Sequence, residues 1–412
     1  MNSQLLHRQE KLPKKLPKCT NQAQFNLKQK VMKIGIITLP FNWNYGGILQ
    51  TYALQSALKK LGHDSYTINR NTAPMSLKMK VLSYVRRSIL KVLFRKDVVV
   101  RTWPTKEEEK TIRQHTDRFI QENVKTTDLF RSEKDFKNIG KYDFQAFVTG
   151  SDQVWRPKYS PVLENHFLGF LPKDSQAKRI AYAASFGVDN WEFSGRQTEA
   201  CASLAQKFDT ISVREDSAVE LCKDKLNVES IVALDPTMLI DKEEYIALVE
   251  KDKIPKLKGS LLNYILDLTP DKKKIVDEAA EELKIKPVSI MPKGIFREMG
   301  KKRLEDCVCP PVTNWLRGFM DAEFVVTDSF HGTVFSIIFN KPFIAIGNAK
   351  RGITRFSSLL KILGLEDRLV LGYQDNISEM IKTPIDYQKV NTLLEGKKKE
   401  ALQFLENSLN VN

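Results

Sequence analysis

The sequence has no long hydrophobic run and few cysteines. No stretch of about 18 apolar residues, the length that spans a bilayer, occurs in the 412 residues. Residues 1–31 lack the apolar core of a signal peptide. We therefore expect a cytoplasmic protein. The five cysteines are odd in number and scattered, which favours reduced thiols over a disulfide framework.

Metal-binding and nucleic-acid-binding patterns are also missing. Cys307 and Cys309 are the one close cysteine pair, and no second pair or nearby histidine completes a zinc site, so we expect no metal. No helix-turn-helix, RNP, KH or zinc-finger pattern is present, so we expect no nucleic-acid partner. The GxGxxG spacing of dinucleotide-binding proteins is absent as well.

Acidic residues are fewer than basic ones: the chain has 65 Lys and Arg and 50 Asp and Glu, which leaves a net charge of +15. Such a surface favours polyanions or anionic lipid. Residues 1–31 form a basic, polar tail that we expect to be disordered. The segment 76–96 has seven basic residues and no acid, with apolar residues mostly at helical spacing. It is either a helix lying in the headgroup layer of an anionic membrane or one packed on its own domain with a solvated basic face.

The length and the 42% of hydrophobic residues allow two domains with separate cores. Strand 33–39, a glycine loop, a helix over about 48–61 and strand 65–69 predict a Rossmann-like opening unit. Strands and helices keep alternating, which predicts an α/β fold with parallel sheets covered on both faces. The expected units are an N-terminal Rossmann-like domain, a C-terminal Rossmann-like domain and a closing helix that packs back across the first domain. Their bounds are 32–240, 241–385 and 386–412.

Polar residues follow three of the predicted strands. Ligands of open α/β sheets bind outside the carboxyl ends of strands, so these residues are candidates for a binding site. The candidates are Asn44, Gly46 and Gly47 after the first strand, Gly150, Ser151, Asp152 and Gln153 after the strand at 144–149, and Arg214 after the strand at 210–213.

Each of these candidates also has a structural interpretation. The glycine pair at 46 and 47 is equally consistent with a tight turn, and turn chemistry explains residues 150–152 equally well. Arg214 could grip a carboxylate or phosphate through two parallel N–H bonds, or form a salt bridge to Glu215 or Asp216.

His331 lies at the predicted start of a buried helix, directly after the strand Phe324–Val326. Asp328 or Ser329 can cap that helix, which leaves free N–H groups and the positive dipole end beside the imidazole. Such a helix start is suited to hold an anion. The alternative is a capping residue followed by a histidine of the surface or core.

In their order along the chain, these segments resemble the polysaccharide pyruvyl transferase family from Met32 to about Leu371. The resemblance implies two Rossmann-like domains facing a cleft, as in the GT-B glycosyltransferases. It further implies transfer of pyruvate from phosphoenolpyruvate to a sugar as a ketal. The matching pieces are Asn44-Tyr45-Gly46-Gly47, Gly150-Ser151-Asp152-Gln153-Val154-Trp155, Tyr182-Ala183-Ala184-Ser185-Phe186-Gly187, Ser212-Val213-Arg214-Glu215, Leu234-Asp235-Pro236-Thr237 and Asp328-Ser329-Phe330-His331-Gly332.

The resemblance implies functional roles for Arg214, His331 and Lys350. The chain departs from the family at one point, because several members carry a basic residue shortly before the histidine, where this chain has Ser329-Phe330. That anion contact is either missing or supplied from elsewhere. The candidates for supplying it are Lys350, Arg351 and Arg355.

The ketal chemistry requires held anions, a proton for the methylene carbon and a base for the sugar hydroxyl. An imidazole titrates near neutrality, so His331 is the expected general acid. Asp152 or Asp328 is the expected base. No cofactor is expected besides phosphoenolpyruvate as co-substrate, and the acceptor is a sugar that could be lipid-linked. The expected donor-binding residues are Arg214, Lys350, Ser329 and Gly332, and the expected acceptor-binding residues are Asn44, Gly46 and Gln153.

Two other functions stay open from the sequence. A nucleotide-sugar glycosyltransferase would share the two-domain fold and bind a nucleoside diphosphate instead. A non-catalytic envelope-assembly protein could keep the fold and its charge for docking to membrane or polymer.

Overall fold

The computed structural model describes residues 31–70, 76–160, 162–348, 352–374 and 376–410. Within them the strands are short and mostly buried, as strands of covered parallel sheets are. They are β1 (Lys33–Ile37), β2 (Asp64–Thr67), β3 (Ala146–Thr149), β4 (Lys178–Ala184), β5 (Thr210–Val213), β6 (Ile231–Val232), β7 (Ser260–Tyr264), β8 (Lys286–Val288), β9 (Ala322–Thr327), β10 (Phe343–Ile346) and β11 (Leu369–Val370).

The strands form two parallel sheets, which confirms the predicted α/β fold class. The first has the order β2-β1-β3-β4-β5-β6, and the second has the order β11-β10-β9-β7-β8. The strand order reverses direction between β1 and β3 in the first sheet and between β7 and β9 in the second. A crevice opens at such switch points, at the carboxyl ends of the strands. The segments after β1, β3 and β9 are those that the sequence singled out.

Helices cover the sheets, and several begin at capping boxes, such as Thr105 with Glu108 and Asp241 with Glu244. No helix of the described residues is both long and apolar enough to cross a bilayer. The helices are α1 (Tyr45–Lys60), α2 (Leu77–Val92), α3 (Lys106–Asn123), α4 (Gly195–Ala205), α5 (Asp216–Leu221), α6 (Lys242–Lys251), α7 (Pro270–Leu283), α8 (Phe296–Met299), α9 (Val312–Asp321), α10 (Phe330–Ile338), α11 (Thr354–Leu363), α12 (Ile377–Lys382) and α13 (Tyr387–Asn410).

The predicted glycine loop after β1 is shorter than expected. Helix α1 begins at Tyr45, so Gly46 and Gly47 form its first turn, and the interpretation of a tight turn is wrong. A Cβ on Gly46 would lie 2.1 Å from the Nδ1 atom of His331. Glycine at this position therefore lets the start of α1 reach the histidine that follows β9.

Helix α13 packs back against the first sheet. Its Phe404 ring lies 6.3 Å from the Tyr182 ring of β4, and the Thr210 hydroxyl donates to Ser408 Oγ at 2.7 Å. The predicted disordered tail lies outside the described residues except for Val31. The bounds of the three predicted units stay predictions.

Candidate active site

Arg214 and Asp235 form the centre of a buried charge cluster. Arg214 directly follows β5 and is 3% exposed. Its Nη1 donates to Asp235 Oδ2 at 2.6 Å, and its Nη2 lies 3.5 Å from Asp152 Oδ1. Ser151 Oγ donates to the same Asp235 oxygen at 3.1 Å. Arg214 thus pairs with Asp235 and Asp152, and not with Glu215 or Asp216 as the alternative interpretation expected.

His331 meets this cluster from the second sheet. It is the second residue of α10, and Ser329 caps that helix by accepting from the N–H of Gly332 at 3.3 Å. The imidazole is 6% exposed. Its Nε2 lies 3.7 Å from Asp235 Oδ2, which is longer than a hydrogen bond. No hydrogen-bond partner for this nitrogen exists among the described residues.

The two aspartates of the cluster are held in their ionised form. Burial alone opposes their ionisation. For Asp235 the opposing effects of His331, Arg214 and Thr237 are larger, and its pKa lies well below the usual range. Arg214, His331 and Arg355 likewise lower the pKa of Asp152 despite its burial. Two buried carboxylates therefore balance the cations around them.

Glu215 carries the opposite shift. It is fully buried, and one of its oxygens accepts from Ser185 Oγ, the Phe186 N–H and the Gly187 N–H at 2.9–3.1 Å. Burial raises its pKa, although Arg214 and Arg355 act against that rise. Its second oxygen has no hydrogen-bond partner in the described part of the chain. Buried polar atoms are seldom left in this state.

A second arginine reaches the cluster from the start of α11. Arg355 is 5% exposed, and burial together with Arg214 lowers its pKa to about 10. Its guanidinium lies 5.6 Å from the ring centroid of Phe330, and that of Arg214 lies 4.4 Å from the same centroid. Phe330 stands near the position of the family's basic residue. The guanidinium groups of Arg214 and Arg355, which come from other elements, both lie against its ring.

The backbone is strained beside the cluster. Asp152 has φ +80° and Ala183 has φ +47°, both in the left-handed region that non-glycine residues rarely adopt. The register between β4 and β5 shifts at residues 181–184. Such irregularities concentrate where side chains are aimed at a site. Here the Ala184 carbonyl accepts from the N–H of Arg214 at 3.0 Å.

The two halves meet closely around this site. Besides the Gly46 contact, a Cβ on Gly352 would lie 1.6 Å from the carbonyl oxygen of Gly187. Gly352 has φ +93°, a conformation that also favours glycine. Segments that follow β4 and β10 are therefore in contact across the cleft, and the charge cluster lies closed between the two sheets.

The predicted acceptor residues stand at the edge of the cluster. Asn44 is exposed, and its Nδ2 donates to Asp152 Oδ2 at 3.3 Å. Gln153 is half-buried, and its Oε1 accepts from Arg156 at 3.1 Å. Gly46 contacts His331 as described. The structure therefore brings all three beside Asp152 or His331, and their binding roles stay predictions.

Two other candidates stand apart from these residues. Asp328 accepts from Lys272 Nζ at 2.6 Å and from the N–H groups of Leu266 and Asp267 at 2.7 and 3.2 Å. These bonds occupy its carboxylate, so Asp328 is a poor base and a structural link between β9, the segment after β7 and α7. Lys350, the predicted third cation, lies outside the described residues, as does Arg351.

Asp235, Glu215 and Phe330 were not among the site residues predicted from the sequence. Glu215 stands two residues beyond the end of β5 and Asp235 three residues beyond the end of β6, much the same signal that pointed to Arg214. Arg355 follows no described strand directly, and only the gap left by the missing basic residue drew attention to it. Among the described residues, no group of three or more His, Cys, Asp and Glu is placed to hold a metal ion.

The thiols of the described cysteines take no part in the cluster. Cys201, Cys222, Cys307 and Cys309 are buried and unpaired. Burial raises the pKa of Cys201 and Cys222 to about 12 and that of Cys309 to about 11. Thiols with such values are inert as nucleophiles near neutrality.

Comparison with known structures shows the fold. UGT89C1 of Arabidopsis thaliana, complexed with UDP-L-rhamnose, is similar with a TM-score of 0.50 and 10% identity, over 93% of this chain and 100% of that chain. MnaA of S. aureus with UDP has a TM-score of 0.47 and 12% identity, over 92% and 98% of the two chains. The two parallel sheets and the likeness to UGT89C1 confirm the predicted GT-B-like architecture of two Rossmann-like halves facing a cleft.

Comparison of the sequence gives the family. No curated protein matches the sequence significantly. The sequence profile of the polysaccharide pyruvyl transferases matches residues 44–350, which include all the residues that the resemblance rests on from Asn44 to Gly332. Because this match spans well over half of the 412 residues, the chain belongs to the polysaccharide pyruvyl transferase family.

Proposed function

We propose that the protein transfers pyruvate from phosphoenolpyruvate to a sugar of a cell-surface polysaccharide or of its lipid-linked precursor, forming a ketal. The observation that carries this proposal is the meeting of His331 with Arg214 and Arg355 at the capped start of α10. Each is at most 6% exposed. A proton donor and two permanent cations are thereby held together away from water, where electrostatic interactions are strong.

Phosphoenolpyruvate carries a carboxylate and a phosphate, and the cluster offers a partner of each kind. An arginine fork binds either anion through two parallel N–H bonds. The first N–H groups of α10, at the helix start that Ser329 caps, suit an oxyanion. Arg355 supplies the contact that a basic residue before His331 would make in other family members. Lys350 belongs to the same donor-binding set.

The reaction needs one proton transfer to carbon and two C–O bonds. His331 donates a proton to the methylene carbon, and the adjacent carbon forms a bond to a first sugar hydroxyl. Asp152 accepts the proton of that hydroxyl, and the proton then passes back to the imidazole of His331. The second hydroxyl then attacks the same carbon as the C–O bond to phosphate breaks, and its proton leaves with the phosphate. The products are one ketal and one inorganic phosphate.

Asp152 is the better base because of its place at the edge of the cluster. It is held ionised by the neighbouring cations, and Asn44 and Gln153 stand next to it. A sugar that binds to these two amides would present its hydroxyls to the carboxylate. Asp235 lies deeper, bonded to Arg214, Ser151 and Thr237, and orients Arg214 and His331.

Phosphate release from phosphoenolpyruvate tests this proposal, measured with a panel of nitrophenyl and lipid-linked sugars. We expect release that depends on an added sugar, with pyruvate found on that sugar by mass spectrometry. The reaction without sugar is the control. If the protein ignores phosphoenolpyruvate and instead turns over a nucleoside diphosphate sugar, it is a glycosyltransferase, an outcome that the likeness to UGT89C1 makes worth measuring. No turnover of either donor class would favour a non-catalytic assembly role.

A further inference from the structure

Helix α2 exposes its apolar side chains to solvent. None of its 16 residues is buried. Leu77, Leu82 and Val92 are 76%, 70% and 73% exposed. Single exposed apolar residues are ordinary on protein surfaces, but a row as long as a helix marks an interaction site.

The polar side of α2 faces the protein instead. Ser83 Oγ lies 3.4 Å from Thr102 Oγ1, and Arg87 Nε donates to the Val99 carbonyl. Lys80 Nζ lies 5.8 Å from the Trp103 ring centroid. Positions 80, 83 and 87 fall on one side of a helix with about 3.6 residues per turn. The interpretation of a helix packed by its apolar side on its own domain is therefore wrong.

The opposite side of the helix is the apolar one. At about 100° per residue, it points away from the segment 99–103 that holds the polar side. We call this side the α2 outer face. It consists of Leu77, Val81, Leu82, Val85, Ile89 and Val92, all exposed.

Positive charge flanks the α2 outer face. Arg86 and Lys91 lie on its two sides, Lys78 lies in line with it in the first turn, and Arg95 and Lys96 follow the helix. All five are exposed. No acidic residue occurs between positions 76 and 96. An apolar strip bordered by basic side chains matches the boundary between acyl chains and anionic headgroups of a bilayer.

We propose that the α2 outer face docks the protein on a membrane surface rich in anionic lipid. A second copy of the chain fits this surface less well. A two-fold dimer through α2 would set the same basic residues against each other, and like charges across an interface oppose association. An anionic bilayer complements both the apolar strip and its charged borders.

Membrane docking is independent of pyruvyl transfer, because vesicle binding is measured without any turnover. It places the protein at the surface where a lipid-linked sugar would present its headgroup. Failure of either proposal can therefore be recognised separately.

Co-sedimentation with vesicles tests the charge component. The protein is spun with phosphatidylcholine vesicles that either contain or lack phosphatidylglycerol, at low and high salt. We expect binding to the anionic vesicles only, weakened by salt. The variant Lys78→Gln, Arg86→Gln, Lys91→Gln should partition roughly a hundredfold less, since each basic residue adds roughly fivefold. Lys80 and Arg87 stay unchanged because they contact the protein.

The matched control removes three exposed lysines elsewhere, by Lys256→Gln, Lys258→Gln and Lys389→Gln. It should bind vesicles nearly as well as the wild type. Equal loss in both variants would reduce the effect to net charge and overturn the docking surface. So would a wild-type protein that does not sediment with anionic vesicles.

The apolar component is tested by Leu82→Ser, Val85→Ser and Ile89→Ser together. We expect weaker vesicle binding with the Tm unchanged, because all three side chains are exposed. A lowered Tm would mean that the face packs on the protein. Dissociation of a wild-type dimer by these changes, seen by light scattering, would assign the face to a second copy. Either result overturns the membrane proposal.

Discussion

The charge cluster around Arg214 and the α2 outer face are unusual in opposite ways, since one buries charged side chains and the other exposes apolar ones. Charged residues are almost never fully buried unless paired, and large apolar ones are mostly buried. At the cluster, Arg214, Asp235 and His331 are each at most 6% exposed. On α2, a whole row of apolar side chains is exposed. In the rest of the described residues, burial follows the usual pattern. The strands β3 and β9, for example, are almost wholly buried.

The two regions differ in the kind of contact that their side chains leave unmade. In the cluster, His331 Nε2 and one Glu215 oxygen have no hydrogen-bond partner among the described residues. On α2, the apolar side chains are left exposed to solvent. Sequences agree with their fold at most positions and depart from it at functional sites. Buried polar atoms that have no hydrogen-bond partner favour binding of a small charged ligand. Exposed apolar side chains favour contact with a large apolar surface.

The largest effect is expected at His331. The change His331→Gln keeps a polar side chain of similar reach but removes the proposed general acid, so turnover should fall about 10²- to 10⁴-fold. The Tm should change little. His115→Gln, on the half-buried side of α3, is the matched control and should keep full activity. Near wild-type turnover of His331→Gln would remove the histidine from the chemistry.

Asp235→Asn should cost stability, because it leaves Arg214 buried beside a neutral amide. Breaking a buried ion pair on one side destabilises by about 3–5 kcal/mol. Urea unfolding of the wild type and the variant at pH 7 measures this. Asp277→Asn is the control, since its pair with Lys273 lies at the surface of the protein. Equal losses in the two variants would mean that burial of the Arg214 pair adds nothing.

The same pair predicts a pH dependence. The pKa of Asp235 is lowered in the folded protein, so its contribution is fully present above the unfolded value of about 3.9. It is lost as the pH falls toward the folded value. The stability difference between wild type and Asp235→Asn should therefore shrink as the pH is lowered from about 5 to 3. A constant difference over that range would contradict the ion pair.

Gly46→Ala tests the close approach of α1 to the cluster. The added Cβ would lie 2.1 Å from His331 Nδ1, so either the helix or the imidazole must move. Overpacking of this kind costs typically about 1–3 kcal/mol, and displacing the proposed acid should lower turnover by about tenfold or more. Gly195→Ala, where a Cβ meets nothing within 4 Å, is the control. Equal activities would show that the Gly46 contact is not needed.

The smallest effect is expected on α2, and it sharpens the comparison. Ile89→Ala on the α2 outer face should change stability by less than about 0.5 kcal/mol. The matched change Ile34→Ala in β1, where the side chain is fully buried, should cost about 2–5 kcal/mol. Both are measured by thermal or urea unfolding of the protein without lipid. Similar losses at the two sites would mean that α2 packs its apolar side in solution.

Much of this could be predicted from the sequence because local patterns carry it. The first strand begins at residue 33 as predicted, and strand ends pointed to Asp152 and Arg214. The start of α10 pointed to His331. The contacts between these residues could not be predicted, since His331 and Arg355 come from distant parts of the chain and reach Arg214 and Asp235 only in the folded protein. The sequence also could not show that the apolar side of α2 faces solvent. The spacing of apolar residues defines an apolar side of a helix but not what that side faces.

Calorimetric titration of phosphoenolpyruvate tests most directly whether the buried cluster is a donor site. We expect saturable binding to the wild type and clearly weaker binding to Arg214→Lys, which keeps the charge but loses the fork. Loss of such a charged hydrogen bond corresponds to about tenfold or more in affinity. UDP, titrated in parallel, should bind neither protein. Binding of UDP without phosphoenolpyruvate, or an unchanged phosphoenolpyruvate affinity in Arg214→Lys, would contradict the account.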